Sequence, residues 1–268
     1  MSDVVPTDPS AVDLGAYAAW LFDMDGVLTK TALVHAAAWK QAFDAFLLEE
    51  TKRTGTTYAP FDAESDYEKY VDGEPRADGV RNFLKARGIT LPEGNDDDPP
   101  TAATVCGVGN RKNELVLQVM KKDGVQVYEG VKELIAALKG RGVKIAVVSA
   151  SENTEAALTA AGINDLFDTR VDGHTVKDLH LAGKPAPDSF LQGAKQLGVE
   201  ASRAVVLEDA LAGVQAGHAG HFALVIGVDH HDEGAAHDYA DQLRAHGANV
   251  VVSDLSQLVG DRGATKSS

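Results

Sequence analysis

The sequence predicts an α/β fold: a three-layer, doubly wound, mostly parallel sheet with a helical domain inserted into it. Three observations predict this. Short apolar runs recur at Ala19–Met24, Val143–Val148, Ala204–Leu207, Phe222–Ile226 and Val250–Val252, and continuous runs of this kind read as strands buried on both faces. Helical patterns alternate with these runs through the second half, as a parallel sheet covered by helices requires. Between the first and second runs, residues 31–121 carry helical periodicity and no strand. The expected division is therefore an α/β core of 1–30 and 122–268 around an inserted helical cap of 31–121.

Each element has its own justification. Residues 1–18 are polar, carry two prolines and are expected to form a poorly ordered lead-in. Thr31, His35, Trp39, Phe43 and Phe46 recur at spacings of 4, 4, 4 and 3, which puts them on one helix face. Thr51–Pro60 reads as a loop around Gly55. Residues 64–89 read as two helical pieces around Gly73–Pro75, and Leu91–Pro100 as an acidic surface loop. The helical period resumes at Arg111 through Leu115, Val119 and Met120. Val131, Leu134, Ile135 and Leu138 form the stripe of an amphipathic helix. Phe190, Leu191, Ala194 and Leu197 mark another, stopped by Gly198.

Composition excludes several function classes. The chain has 268 residues and a formal charge of −15, a balance that opposes docking on nucleic acid or anionic lipid. The single cysteine, Cys106, excludes an intrachain disulfide and a multi-cysteine metal site. No apolar run approaches the ~20 residues that cross a bilayer. No basic stretch followed by a long apolar one opens the chain, so a cytoplasmic, monomeric protein is the expectation.

In parallel α/β sheets, sites form at the carboxyl ends of the strands. The first run ends in Asp23-Met24-Asp25-Gly26-Val27-Leu28-Thr29, the second in Ser149-Ala150-Ser151-Glu152-Asn153, and the third in Glu208-Asp209. Lys184-Pro185-Ala186-Pro187-Asp188 precedes a helix. Four carboxylates on one edge repel one another and raise each other's pKa, and a bound cation removes the conflict. All these ligands are oxygen, so a hard ion fits, and Mg²⁺ fits best beside a phosphate. Lys184 adds positive charge, and Ser149 with the loop amides after it can donate to phosphate oxygens. That is the apparatus of phosphoryl transfer.

The set Asp23-x-Asp25-Gly-Val-Leu-Thr, Ser149, Lys184 and Glu208-Asp209 resembles the four motifs of the haloacid dehalogenase superfamily, in order and in spacing. Within it the chain resembles the β-phosphoglucomutase-like subfamily. Thr31, His35 and Trp39 follow the first motif as they do there. Ser149-Ala150-Ser151-x-Asn153 matches the second motif, Arg111-Lys112-Asn113 the return from the cap, and Gly73-x-x-Arg76 the substrate-selecting cap loop.

The resemblance implies roles. Asp23 is the nucleophile that becomes an aspartyl-phosphate. Asp25 is the general acid and base. Asp23, Glu208, Asp209 and the main-chain carbonyl of Asp25 ligate Mg²⁺. Ser149, Ala150 and Lys184 hold the transferring phosphoryl group. Ser151 and Asn153 bind the second phosphate or the sugar. Thr31, His35, Trp39, Gly73, Arg76 and Lys112 are the substrate-binding candidates of the cap, which closes over the site and excludes water.

The implied partner is a small phosphorylated sugar, and the implied reaction interconverts β-glucose 1-phosphate and glucose 6-phosphate. Asp72 stands where the subfamily carries a lysine and Glu74 adds a second negative charge, which favours the alternative of a sugar-phosphate phosphatase. An inactive phosphosugar-binding protein would have lost one of Asp23, Asp25, Lys184 or Asp209, and all four are present. The histidines at 174, 180, 218, 221, 230, 231 and 237 show no ligand-like spacing, and no role is assigned to them.

Overall fold

The computed structural model describes residues 6–71, 75–230 and 236–259. It divides into two compact units, one of Met1–Lys30 with Val125–Ser268 and one of Thr31–Gly124. Gly73 of the substrate-binding candidates, with its neighbours Asp72 and Glu74, lies outside the described residues.

The first unit is built on six strands: β1 (Ala19–Phe22), β2 (Lys144–Val148), β3 (Thr169–Val171), β4 (Ala204–Glu208), β5 (Leu224–Val228) and β6 (Val250–Val252). They form one sheet in the order β3-β2-β1-β4-β5-β6, and every pairing is parallel. The chain steps outward from β1 to β2 and β3, then returns to the other side of β1 as β4. This reversal is the topological switch point, where open α/β sheets place their ligands. All four residues of β1 are buried, because helices cover both faces.

On one face Leu21 packs in a cluster with Phe190 and Ala194 of a helix at Asp188–Leu197 and Val214 of another at Leu211–Ala219. On the other, Trp20, Phe22, Ile145 and Val147 are fully buried, and a helix at Val131–Lys139 lies against β2.

The structure corrects the sequence reading in several places. Residues 6–18 do not trail: Val12 and Leu14 are buried, the latter at 6% exposure. β3 was absent from the expected strands. It is three residues long at the sheet edge, and only Val171 is buried, so it lacks the apolar run that marks a central strand. β5 begins at Leu224, two residues later than its apolar run, because Phe222 packs in the turn before it against Phe190.

The second unit is helical: α1 (Thr31–Thr54), α2 (Ser65–Tyr70), α3 (Arg76–Ala86) and α4 (Val105–Asp123). α1 runs four residues into the expected loop, closed by Arg53 paired to Glu50. α4 starts six residues before the period appears. Thr104 caps it by accepting from the Gly107 N–H at 2.9 Å, and Gly107 and Gly109 hide the pattern. The core of this unit is aromatic. Phe43 stacks on Trp39 at 4.8 Å and meets Phe61 and Phe83 at 5.3 and 4.1 Å. No helix among the described residues is long and apolar enough to cross a membrane.

Candidate active site

The site is assembled at the carboxyl edge of β1 and β4, on the switch point. The sheet register sets it. Phe22 pairs with Val147 on β2 and with Leu207 on β4, and the Asp23 N–H extends the ladder by donating to the Leu207 carbonyl at 3.0 Å. Asp23 is thereby fixed at the strand tip, 7% exposed. The chain then turns sharply. The Met24 carbonyl accepts from the Leu28 and Thr29 N–H groups at 3.0 Å each and from the Thr29 hydroxyl at 3.2 Å. Gly26 takes a left-handed φ of +82°. Any side chain there would meet Asp209, since a Cβ would fall 1.8 Å from its Oδ2.

Across the switch point β4 ends in Glu208, and Asp209 follows. The Glu208 Oε2 accepts from the N–H groups of Asp209 and Ala210 at 2.6 and 2.9 Å, which leaves its other oxygen, Oε1, to the Lys184 ammonium. Gly213, on the helix at Leu211–Ala219, makes room for this carboxylate: a Cβ there would lie 1.6 Å from Oε1. The Lys184 ammonium bridges the two strands, 2.5 Å from both Asp23 Oδ1 and Glu208 Oε1. The ammonium also lies over the Phe190 ring, 4.9 Å from its centroid.

Asp23, Glu208 and Asp209 each present a carboxylate oxygen, all within 4.8 Å of one another. The electrostatics are tense. Burial, with Glu208 and Asp25 beside it, pushes the Asp23 carboxyl up to about 8 despite Lys184. Burial and the Glu208 and Asp23 carboxylates push Asp209 well above the usual range. Burial alone would lower Lys184, but the Asp23 and Glu208 carboxylates outweigh it and raise the ammonium's pKa. Three crowded carboxylates, dried and facing one another, are a donor set that a hard divalent cation satisfies and that water alone does not. The residues therefore fit Mg²⁺.

Beside them, the Ser149 N–H continues β2 by donating to the Val171 carbonyl at 2.9 Å, and the Ser149 hydroxyl accepts from the Ser151 N–H at 3.1 Å. The Ser151 hydroxyl accepts in turn from the Asn153 N–H at 3.1 Å. Ala150 lies inside this turn. Asp23, Ser149, Lys184, Glu208 and Asp209 thus come from four separate segments onto one edge of one unit.

The remaining sequence candidates belong to the helical unit. Thr31 opens α1 and is fully buried. The buried Lys112 of α4 donates to His35 Nδ1 at 2.7 Å and sits over the Trp39 ring at 4.9 Å. Burial, and then this ammonium, lower the His35 imidazole to about 3, so the ring is neutral and accepts from lysine. Trp39 is 3% exposed in the aromatic core. Arg76 begins α3 with its stem against Gly109.

Sequence reasoning missed Gly213, Tyr239 and Tyr128. The Tyr239 hydroxyl donates to the Asp209 carbonyl at 2.7 Å. Burial, and then the Asp209 and Asp25 carboxylates, push the Tyr128 phenol up. Gly213 carried a readable signal, a helix-destabilising glycine just after an acidic pair. The tyrosines carried none.

A model of the haloacid dehalogenase-like hydrolase family matches residues 17–221. The chain belongs to this family. It is 50% identical over 241 residues to a β-phosphoglucomutase of Mycobacterium bovis, covering 90% of this chain and 91% of that one. It is 30% identical over 211 residues to the β-phosphoglucomutase of Bacillus subtilis, covering 78% and 83%. Among solved structures, the β-phosphoglucomutase of Clostridium difficile shares the fold with a TM-score of 0.65 at 24% identity, covering 90% and 93%. The protein is thus an enzyme of the haloacid dehalogenase phosphotransferase kind, in the β-phosphoglucomutase-like branch.

Proposed function

We propose that the chain is a Mg²⁺-dependent phosphosugar mutase that interconverts β-glucose 1-phosphate and glucose 6-phosphate through an aspartyl-phosphate on Asp23. The observation that carries this reading is the carboxylate cluster of Asp23, Glu208 and Asp209, within 4.8 Å, with the Lys184 ammonium on Asp23 and Glu208.

The steps follow from the residues. An Asp23 carboxylate oxygen attacks the phosphorus of the 1-phosphate of the bound 1,6-bisphosphate. The bond from that phosphorus to the sugar oxygen breaks, Asp25 gives the oxygen its proton, and glucose 6-phosphate leaves. The 6-hydroxyl of β-glucose 1-phosphate then attacks the Asp23 phosphoryl group, Asp25 takes the hydroxyl's proton, the bond from phosphorus to Asp23 breaks, and the bisphosphate is formed again. Lys184, the Ser149 hydroxyl and the Ala150 amide carry the charge on the phosphoryl oxygens. Asp23, Glu208, Asp209 and the Asp25 carbonyl would hold the metal. When bound, Mg²⁺ supplies the positive charge that lets a phosphate approach a carboxylate.

Ser151 and Asn153 are assigned to the sugar or its second phosphate. The helical unit acts as the cap, with Arg76 as the cation for the distal phosphate. Thr31, His35, Trp39 and Lys112 support it, and Gly73 belongs to its selecting loop. The soluble cytoplasm is the proposed compartment.

The test is to supply β-glucose 1-phosphate with Mg²⁺ and a trace of the 1,6-bisphosphate. Glucose 6-phosphate accumulates if the reading is right. Release of inorganic phosphate and free glucose at comparable rates supports the phosphatase instead, the reading that Asp72 and Glu74 favour. Asp23→Asn abolishes turnover under either.

A further inference from the structure

We infer that His230 is a positioning residue for the general acid, a latch that holds the Asp25-Gly26 turn in register with the sheet. The inference rests on the phosphoryl-transfer reading above. The turn after β1 is tied on its inner side by the Met24 carbonyl, and the Gly26 N–H donates to the Thr29 carbonyl at 3.1 Å. Its outward carbonyl, that of Gly26, has a partner from far along the chain. His230 Nε2 lies 2.9 Å from it, and His230 Nδ1 lies 3.0 Å from the Ser253 carbonyl. Both partners are acceptors and a neutral imidazole carries one N–H; the latch uses the tautomer protonated at Nε2, which donates to the Gly26 carbonyl.

One ring face is also fixed. It stacks on Tyr128 at 3.8 Å with the planes 3° apart. Tyr128 is anchored too, since its N–H donates to the Leu28 carbonyl at 3.1 Å and the Lys30 ammonium lies over its ring at 5.2 Å. His230 and Tyr128 line a cavity of about 220 Å³ together with Asp209, Val228 and Tyr239.

The latch therefore ties the tip of β5 to the turn bearing Asp25 by a planar group with no torsional slack in its ring, its other nitrogen facing the loop after β6. Gly26 alone would let this turn drift, because a glycine at a left-handed φ has the widest conformational freedom of any residue. Asp25 is joined to Gly26 by one peptide bond. Displacing a reacting group by about 1 Å can cost on the order of a hundredfold in rate.

The test compares two substrates with different needs. A sugar phosphate has an alkoxide leaving group that needs the Asp25 proton, whereas p-nitrophenyl phosphate expels a stable phenolate without one. His230→Phe keeps the stack on Tyr128 and loses the hydrogen bond to the Gly26 carbonyl. The expected result is a loss in kcat/KM at least about tenfold greater on the sugar phosphate than on the aryl phosphate. His230→Arg, planar and able to donate and stack, restores the ratio to within about threefold of wild type. Parallel loss on both substrates would overturn the latch.

A second readout needs no turnover. In the Mg²⁺-loaded protein the Gly26 amide exchanges about tenfold or more faster in His230→Phe, and an unchanged rate would overturn the inference. A wild-type chain inactive on both esters would refute the functional reading, and amide exchange would then decide the latch alone.

Discussion

Replacing Lys184 by methionine tests the electrostatic account of the site most directly. Methionine keeps an unbranched chain of similar length and removes the charge, and with it the ammonium's place over Phe190. In the wild type the ammonium touches two carboxylates, of which the Glu208 side chain is 2% exposed and that of Asp23 10%. Removing one partner of a buried ionic cluster costs about 3–5 kcal/mol. An independent bound agrees. A carboxyl forced to stay protonated at about pH 7.5, with an unfolded pKa of about 3.9, costs at most 1.36 × 3.6, or about 5 kcal/mol.

Asp23 already sits at about 8 in the wild type, so nearly all of that cost is present for it at about pH 7.5 before the substitution, and the expected loss of about 3 kcal/mol falls on the other buried partner, Glu208. The sign with pH is fixed. A carboxyl whose folded pKa is raised holds its proton more tightly when folded, so its penalty is absent near the unfolded pKa and grows as pH rises towards the folded one. At about pH 5 the bound shrinks to about 1.5 kcal/mol. Lys184, raised in the folded state, is charged in both states across this window and adds no slope of its own. The assay is urea unfolding in a chelator at about pH 5 and 7.5, followed by circular dichroism. A variant within about 1 kcal/mol of wild type at the higher pH, or a deficit that does not shrink at the lower, would show that the lysine does not compensate these carboxylates.

Further outcomes follow from other residues. His35 is held at about 3, below its unfolded value of about 6.5, so its contribution is present above about pH 6.5 and is lost as the unfolded ring protonates. His35→Asn keeps an acceptor for Lys112. The stability advantage of wild type over this variant should fall by about 1–2 kcal/mol between about pH 7.5 and 5, and a pH-independent difference would contradict it. Gly213→Ala gains up to about 1 kcal/mol of helix propensity, but its methyl collides with Glu208. Calorimetry should show Mg²⁺ affinity about 10–100-fold weaker, and wild-type affinity would mean that Glu208 is not held as described. Arg76→Ala should raise KM for the bisphosphate about tenfold or more through loss of a charge-assisted contact, and an unaltered KM would place the distal phosphate elsewhere.

What the sequence made legible follows the range of the forces involved. β1, β2 and β4 were readable because strands buried on both faces must be apolar throughout, whatever their neighbours. β3 was not, because an edge strand needs only Val171 inside, and Thr169 and Arg170 are spelled like a loop. The same division runs through the site. Asp23, Ser149, Lys184, Glu208 and Asp209 stand out because they are chemically expensive residues at strand ends, where crowded charge demands an explanation. Their supports leave no such mark. Tyr239 acts through a hydroxyl on a main-chain carbonyl, and His230 sets its two ring nitrogens against carbonyls from segments 23 and 204 residues away. Backbone partners carry no side-chain identity, so no spacing rule could have linked His230 to Gly26. A phosphoryl-transfer site of this kind is therefore announced by its charges and completed by its hydrogen bonds to the main chain. In the mechanism proposed above, the second set decides whether Asp25 stands where its proton is needed.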